Sequence, residues 1–373
     1  MPCRDLRIRI GETGRVEVVD PAFADLPFLR SIDPGFRILT APLPGFTIPG
    51  FQRLRMMRIR ACKDALADYS EASLWGLHAA AMREARAESP RRPPAVGEAS
   101  LLDLKAELAH RLLQPCRLCP HRCGVDRARG ELGLCGLGAE ARLAESFVHI
   151  AEEPFINPSL VVSLAGCGLK CRFCQQERLL RPDAPEFTPL ADTPWSALPR
   201  KGARSISFLG GNPDESLPAI LQFLNDAPAS WRLPVVWNSN AFATPETLAL
   251  LEGVVDAYVP DYKFGNKACA ARLSTGASYP EAAREAIRLM LRRRVPVIVR
   301  LLVLPGHAAC CHSPAVENLA AMDVTWLWIS LRGEYCPEER DLLAGDELSR
   351  RPAAAEIAAV RDFIVSRNLR VVA

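Results

Sequence analysis

Three cysteines at C-x3-C-x2-C spacing, in Gly166-Cys167-Gly168-Leu169-Lys170-Cys171-Arg172-Phe173-Cys174, constrain this chain more than any other feature. They follow directly on the apolar run Leu160-Val161-Val162-Ser163-Leu164, whose aliphatic and β-branched residues predict a buried strand. The loop therefore lies at the C-terminal end of a strand, where barrel and open-sheet enzymes keep their chemistry. Three thiolates on so short a loop can hold three corners of a cubane iron–sulfur cluster, leaving the fourth iron for a substrate or cofactor. A ferredoxin-type run uses a fourth cysteine nearby, and none follows here until Cys269. A structural zinc loop is the alternative, although structural zinc closes with four ligands.

With Phe173 before its third cysteine, the loop resembles the cluster loop of radical S-adenosylmethionine (SAM) enzymes. The resemblance implies that Cys167, Cys171 and Cys174 ligate a [4Fe-4S] cluster whose open iron chelates the amino and carboxylate groups of SAM. It implies reductive cleavage of SAM to a 5′-deoxyadenosyl radical, and a reducing partner such as flavodoxin or ferredoxin.

The rest of the composition is permissive. The thirteen cysteines are grouped at metal-ligand spacings rather than scattered in pairs, which favours metal binding over disulfides. A net charge of +3 gives no reason to expect a nucleic-acid or membrane partner. No apolar run reaches the roughly 18 residues of a membrane span. The start, Met1-Pro2-Cys3-Arg4-Asp5, lacks the apolar core of a signal peptide. A cytoplasmic protein is the expectation.

A second group reads Cys116-Arg117-Leu118-Cys119-Pro120-His121-Arg122-Cys123-Gly124-Val125-Asp126-Arg127, then Gly133-Leu134-Cys135-Gly136. Cys116, Cys119, Cys123 and Cys135 are four thiolates within twenty residues, a strong metal signal. A closed zinc knuckle and an auxiliary iron–sulfur cluster fit it equally. With four thiolates at hand, His121 reads as a neighbour of the site rather than a ligand. Together with Ile150-Ala151-Glu152-Glu153-Pro154, this arrangement is similar to the radical SAM proteins related to pyruvate formate-lyase-activating enzyme. In particular it resembles the branch with an N-terminal four-cysteine segment.

Further apolar runs predict strands near 205–209, 235–240, 256–264, 296–304 and 326–331, with helices near 214–225, 245–252, 279–294, 313–321 and 352–367. Strand–helix alternation predicts an α/β fold with a parallel sheet, a partial (β/α)6 barrel. The barrel is expected over 151–345, after an extension of unknown role (1–100) and the four-cysteine segment (101–150), and before a closing helix and strand (346–373). In the extension, Arg7–Ile10 and Val16–Val19 read as a small hairpin, 53–87 as helical, and 88–99 as a linker.

The strand ends supply the other candidate residues. Gly210-Gly211-Asn212-Pro213 stands where the family carries its GGEP motif, which receives the SAM amino group; here Asn212 replaces the acid. Asn212 accepts a hydrogen bond without charge, so a glutamate there is expected to bind SAM more tightly, and Asp214 or Glu215 is a candidate for the missing charge. Asn238 ends the third strand, where relatives place side chains near the SAM ribose. Asp261 and Lys263 resemble the D-x-K motif of the activating enzymes and are suited to the SAM carboxylate or to each other. Arg300 is an inward cation for a carboxylate, and His307 stands at the active end of the fifth strand. Cys269 and the adjacent Cys310 and Cys311 are read as core thiols. The resemblance implies a radical SAM oxidoreductase, with a glycyl residue of a partner protein as its substrate. A small molecule or peptide in a biosynthetic pathway, or a zinc scaffold without SAM chemistry, are the alternatives.

Overall fold

The computed structural model describes residues 8–10, 16–18, 40–87 and 93–372. Near the start, β1 (Ile8–Ile10) and β2 (Val16–Val18) pair antiparallel. The region expected to be helical contains α1 (Gly50–Arg55), a strand β3 (Arg58–Cys62) and α2 (Glu71–Ala87). β3 pairs with β4 (Glu98–Ser100), which sits at the end of the expected linker; residues 88–92 of that linker lie outside the described residues. Ser100 then caps α3 (Leu101–Arg111) in a reciprocal box with Asp103, so strand and helix join without a loop.

The main sheet has nine strands. In chain order they are β5 (Arg142–His149), β6 (Ser159–Leu164), β7 (Thr188–Pro189), β8 (Ser205–Gly210), β9 (Val235–Ser239), β10 (Ala257–Pro260), β11 (Val297–Leu302), β12 (Leu327–Arg332) and β13 (Val371–Val372). Their spatial order is β13-β12-β11-β10-β9-β8-β6-β5-β7. From β6 to β13 every neighbour is parallel. The six expected barrel strands therefore stand side by side in chain order, an α/β partial barrel. β5 and β7 add an antiparallel edge beside β6.

The crossover helices include α4 (Leu217–Asn225), α5 (Pro245–Leu251), α6 (Lys267–Leu273), α7 (Tyr279–Leu291) and α8 (Ser313–Ala320); α9 (Glu339–Ala344) and α10 (Ala354–Ser366) follow. Strand residues alternate between two apolar layers. Val235, Trp237, Tyr258, Val297 and Val299 face the helices in a core that also takes in Phe51, Leu54, Leu104 and Leu118. Val236, Val259 and Ile298 face the other way, into a smaller inner layer. Two residues further on, the same inner face carries Asn238, Asp261 and Arg300. The bottom of the barrel is thus apolar and its C-terminal mouth polar, as a period of two requires.

Candidate active site

At that mouth lies a cavity of about 470 Å³. Cys167, Cys171 and Cys174 line it, with Gly210, Gly211, Asn212, Asn238, Asp261, Lys263 and Arg300. Five segments distant in sequence are therefore brought to one place by the strand ends. Pro213 is buried in the turn behind Asn212 and does not line the cavity. His307 is not at the cavity either; it packs against Cys310 and Cys311.

The cysteine loop is held from several sides. Gly166 adopts a left-handed φ of 93°, and a Cβ there would meet Leu137 of the four-cysteine segment at 2.6 Å. The Gly168 N–H donates to Glu215 at 3.0 Å, and the Gly168 carbonyl meets His121 at 3.0 Å and accepts from Thr275. The Arg172 N–H donates to the Leu273 carbonyl at 2.8 Å, while its guanidinium grips Asp346 at 2.6 and 2.7 Å. Phe173 stands edge-on to Phe264, centroids 5.6 Å apart. Burial raises all three thiols, Cys171 to about 12 against the pull of Lys263. They are protonated as they stand, and iron must displace those protons. Among the described residues no fourth cysteine lines the cavity. Three soft donors and an open side fit a cluster with one free iron rather than a closed zinc site.

Around them the polar groups are already engaged. Lys263 donates to Asp261 at 2.6 Å; burial would lower its pKa, but the carboxylate beside it raises it. Of the two roles the sequence leaves open for this pair, the structure displays the mutual one. Arg300 is clamped to Glu153 at 2.7 and 2.8 Å and to Glu152, and Arg332 reaches the same Glu153 at 2.6 Å. Burial would raise Glu152, yet Arg300 and His149 bring it down to about 2. These carboxylates come from the I-A-E-E-P segment.

Asn212 departs most from expectation. Its Nδ2 donates to Asp214 at 3.1 Å and to Glu215, while its Oδ1 accepts the Asn240 N–H at 2.9 Å. Asp214 also accepts from the Trp237 indole at 2.7 Å. Both acids are buried behind Asn212, and neither lines the cavity. Burial raises Asp214 to about 6 and Glu215 to about 7. Sequence reasoning assigned no role to Asn240, whose Nδ2 lies 3.6 Å from the Cys167 sulfur. Its signal was the polar Asn-Ser-Asn ending of β9.

The four-cysteine segment packs directly beneath this loop. Arg127, 1% exposed, binds the Gly138 carbonyl at 2.7 and 2.9 Å and the Glu215 carbonyl at 2.9 Å, and approaches the Cys116 sulfur at 3.8 Å. Burial raises the thiols of Cys116, Cys119 and Cys135, the last to about 11. The Cys123 and Cys135 sulfurs both face Gly133, 3.7 and 3.2 Å from where its Cβ would stand.

A family model described as the radical SAM superfamily matches residues 161–310. MJ0674, an uncharacterized protein of Methanocaldococcus jannaschii, is 31% identical over 281 residues, which take in 73% of this chain and 81% of that protein. Among solved structures, Streptococcus suis SuiB bound to precursor peptide SuiA is 15% identical with a TM-score of 0.37, over 55% of this chain and 46% of that one. SuiB bound to S-adenosylmethionine is 16% identical with a TM-score of 0.33, over 57% and 45%. Each of these matches spans less than half of the SuiB chain.

Proposed function

The chain belongs to the radical SAM superfamily, and from that premise we propose that its cavity is the active site of an activating-enzyme-like radical SAM oxidoreductase. Cys167, Cys171 and Cys174 would hold the [4Fe-4S] cluster, and Gly210, Gly211, Asn212 and Asn238 would receive SAM. Bound there, the two cofactors supply one-electron cleavage of a carbon–sulfur bond and a carbon radical able to take hydrogen from a substrate. The observation that carries this reading is the convergence of three thiols and the polar strand ends on one cavity.

The chain's own groups set the electrostatics. Lys263, paired with Asp261 beside the thiols, offers a cation to a carboxylate or to thiolate charge. Asn240 donates toward Cys167 and stabilises its thiolate form. Arg300 and Arg332, held by Glu152 and Glu153, form a rigid wall with little net charge. The paired Asp261 and Lys263, together with the four-cysteine segment, support a place near the pyruvate formate-lyase-activating enzymes. A glycyl residue of a partner protein is then the substrate, and flavodoxin or ferredoxin the electron donor. Cys116, Cys119, Cys123 and Cys135 would hold a second centre.

The test is anaerobic reconstitution with iron and sulfide, followed by reduction in the presence of SAM. Wild-type protein should release 5′-deoxyadenosine, and Cys171→Ala should release none while keeping its far-UV circular dichroism. Equal release from both proteins would end this assignment.

A further inference from the structure

Away from the cavity, Cys269, His307, Cys310 and Cys311 bring four ligand atoms within 4.8 Å of one another. Cys269 stands in the first turn of α6, after β10. The other three follow β11, two of them in a π-helical turn at Ala308–His312. That wide turn lets adjacent cysteines present their sulfurs together, Cys310 and Cys311 being 3.9 Å apart. Cys269 and Cys310 are 3.7 Å apart, and His307 Nδ1 lies 3.4 Å from Cys310 and 3.5 Å from Cys311. A tetrahedral zinc with Zn–S of about 2.3 Å and Zn–N of about 2.0–2.1 Å requires about 3.8 Å between sulfurs and about 3.6 Å from sulfur to nitrogen. The four separations above fall close to these values, and the remaining pairs lie within 4.8 Å.

The surroundings are those of a metal site. The other ring nitrogen of His307 meets Glu347 at 3.2 Å, the carboxylate–histidine arrangement that orients a ligating imidazole. Asn266 Oδ1 accepts the Cys269 N–H at 2.8 Å, while its Nδ2 donates to the Cys310 carbonyl at 2.6 Å and toward the Cys269 sulfur at 3.3 Å. Backbone packing is tight: a Cβ on Gly265 would stand 2.3 Å from the Cys311 carbonyl.

We propose that Cys269, His307, Cys310 and Cys311 bind one zinc ion as a closed structural centre that fastens the loop after β10 to the loop after β11. On binding, the three thiols lose three protons to solvent and the histidine donates its Nδ1 lone pair, with no change in oxidation state. A Cys269–Cys310 disulfide would engage only two of the four groups, at a bond length of about 2.05 Å. A cubane has its thiolates on four separate irons, farther apart than those around a single ion. The site stands apart from the SAM chemistry, so either reading can fail without the other.

The experiment is metal analysis of full-length protein purified without oxygen, in a Cys119→Ser/Cys123→Ser background that disables the other cysteine group. One zinc per chain is expected, and adding Cys269→Ser/Cys311→Ser should remove it while leaving the iron content unchanged. Unaltered zinc in that variant would overturn the proposal, as would a Cys269–Cys310 disulfide in zinc-free protein. Should the variant not fold, cobalt(II) exchange into the parent background decides. Intense visible bands of tetrahedral thiolate ligation are expected, and their absence overturns the site.

Discussion

Asn212 shows how one side chain can change the meaning of a motif. As a bare replacement for an acid, it invites restoration of the charge. In the folded protein its amide is the donor that separates two buried carboxylates, Asp214 and Glu215. Asn212→Glu would remove that donor and add a third carboxyl, at about 1–3 kcal/mol for each buried group left unpartnered. The expected outcome is therefore weaker SAM binding and a lower melting temperature, opposite to what the motif alone suggests. Burial puts Asp214 at about 6 and Glu215 at about 7 while the amide is present; losing that donor moves both up, so repulsion grows as pH rises through and above that window. The defect should be larger at pH 8 than at pH 6, by titration calorimetry and thermal unfolding. Tighter binding at pH 8 would refute this account. The identity of residue 212 was legible in the sequence, but its partners were not, because the Asn240 N–H reaches it from a different strand end.

Among the elements, the turn after β8 is the most constrained by packing. A Cβ on Gly211 would stand 2.2 Å from the Gly166 carbonyl oxygen, in the backbone of the cysteine loop. The two glycines thus serve close contact between strand ends as well as access for a ligand. Gly211→Ala should destabilise the protein by about 1–3 kcal/mol and reduce iron uptake, whereas Gly76→Ala, with open space around it, should do neither. Iron counting and thermal unfolding on both variants check this; full iron in Gly211→Ala would show that the loops can part. Parallel strands were legible because each is a short apolar run ending in Gly, Asn or Asp. β3 was hidden in a helical stretch, since Arg58-Ile59-Arg60-Ala61-Cys62 has charged residues at alternate positions but only one large apolar one. β5 was missed because only one of its residues is fully buried, so its hydrophobic alternation is faint. The three thiols of the zinc site read as core cysteines for a related reason: Cys269 and Cys310 stand 41 positions apart, and spacing rules read only local groups.

For the molecule as a whole, the four-cysteine segment is part of the frame. Leu118 lies in the same core as the barrel helices, and its carbonyl accepts from Thr244 and Thr247 at the start of α5. A fragment of residues 100–150 would expose Leu118 to water and lose these hydrogen bonds, so the segment draws its stability from the barrel. Replacing Cys119 and Cys123 by serine should lower the melting temperature of the entire protein by several degrees, in one transition, by calorimetry; two separate transitions would speak for an autonomous module. The same connectedness governs the cysteine loop. Its grips on Gly168 come from His121, Glu215 and Thr275, the last 107 residues further along the chain. During synthesis the three thiols leave the ribosome well before Thr275 does. The loop therefore takes its final form only after translation has passed that point, so the shape of the thiol site is completed by chain made well after the thiols themselves.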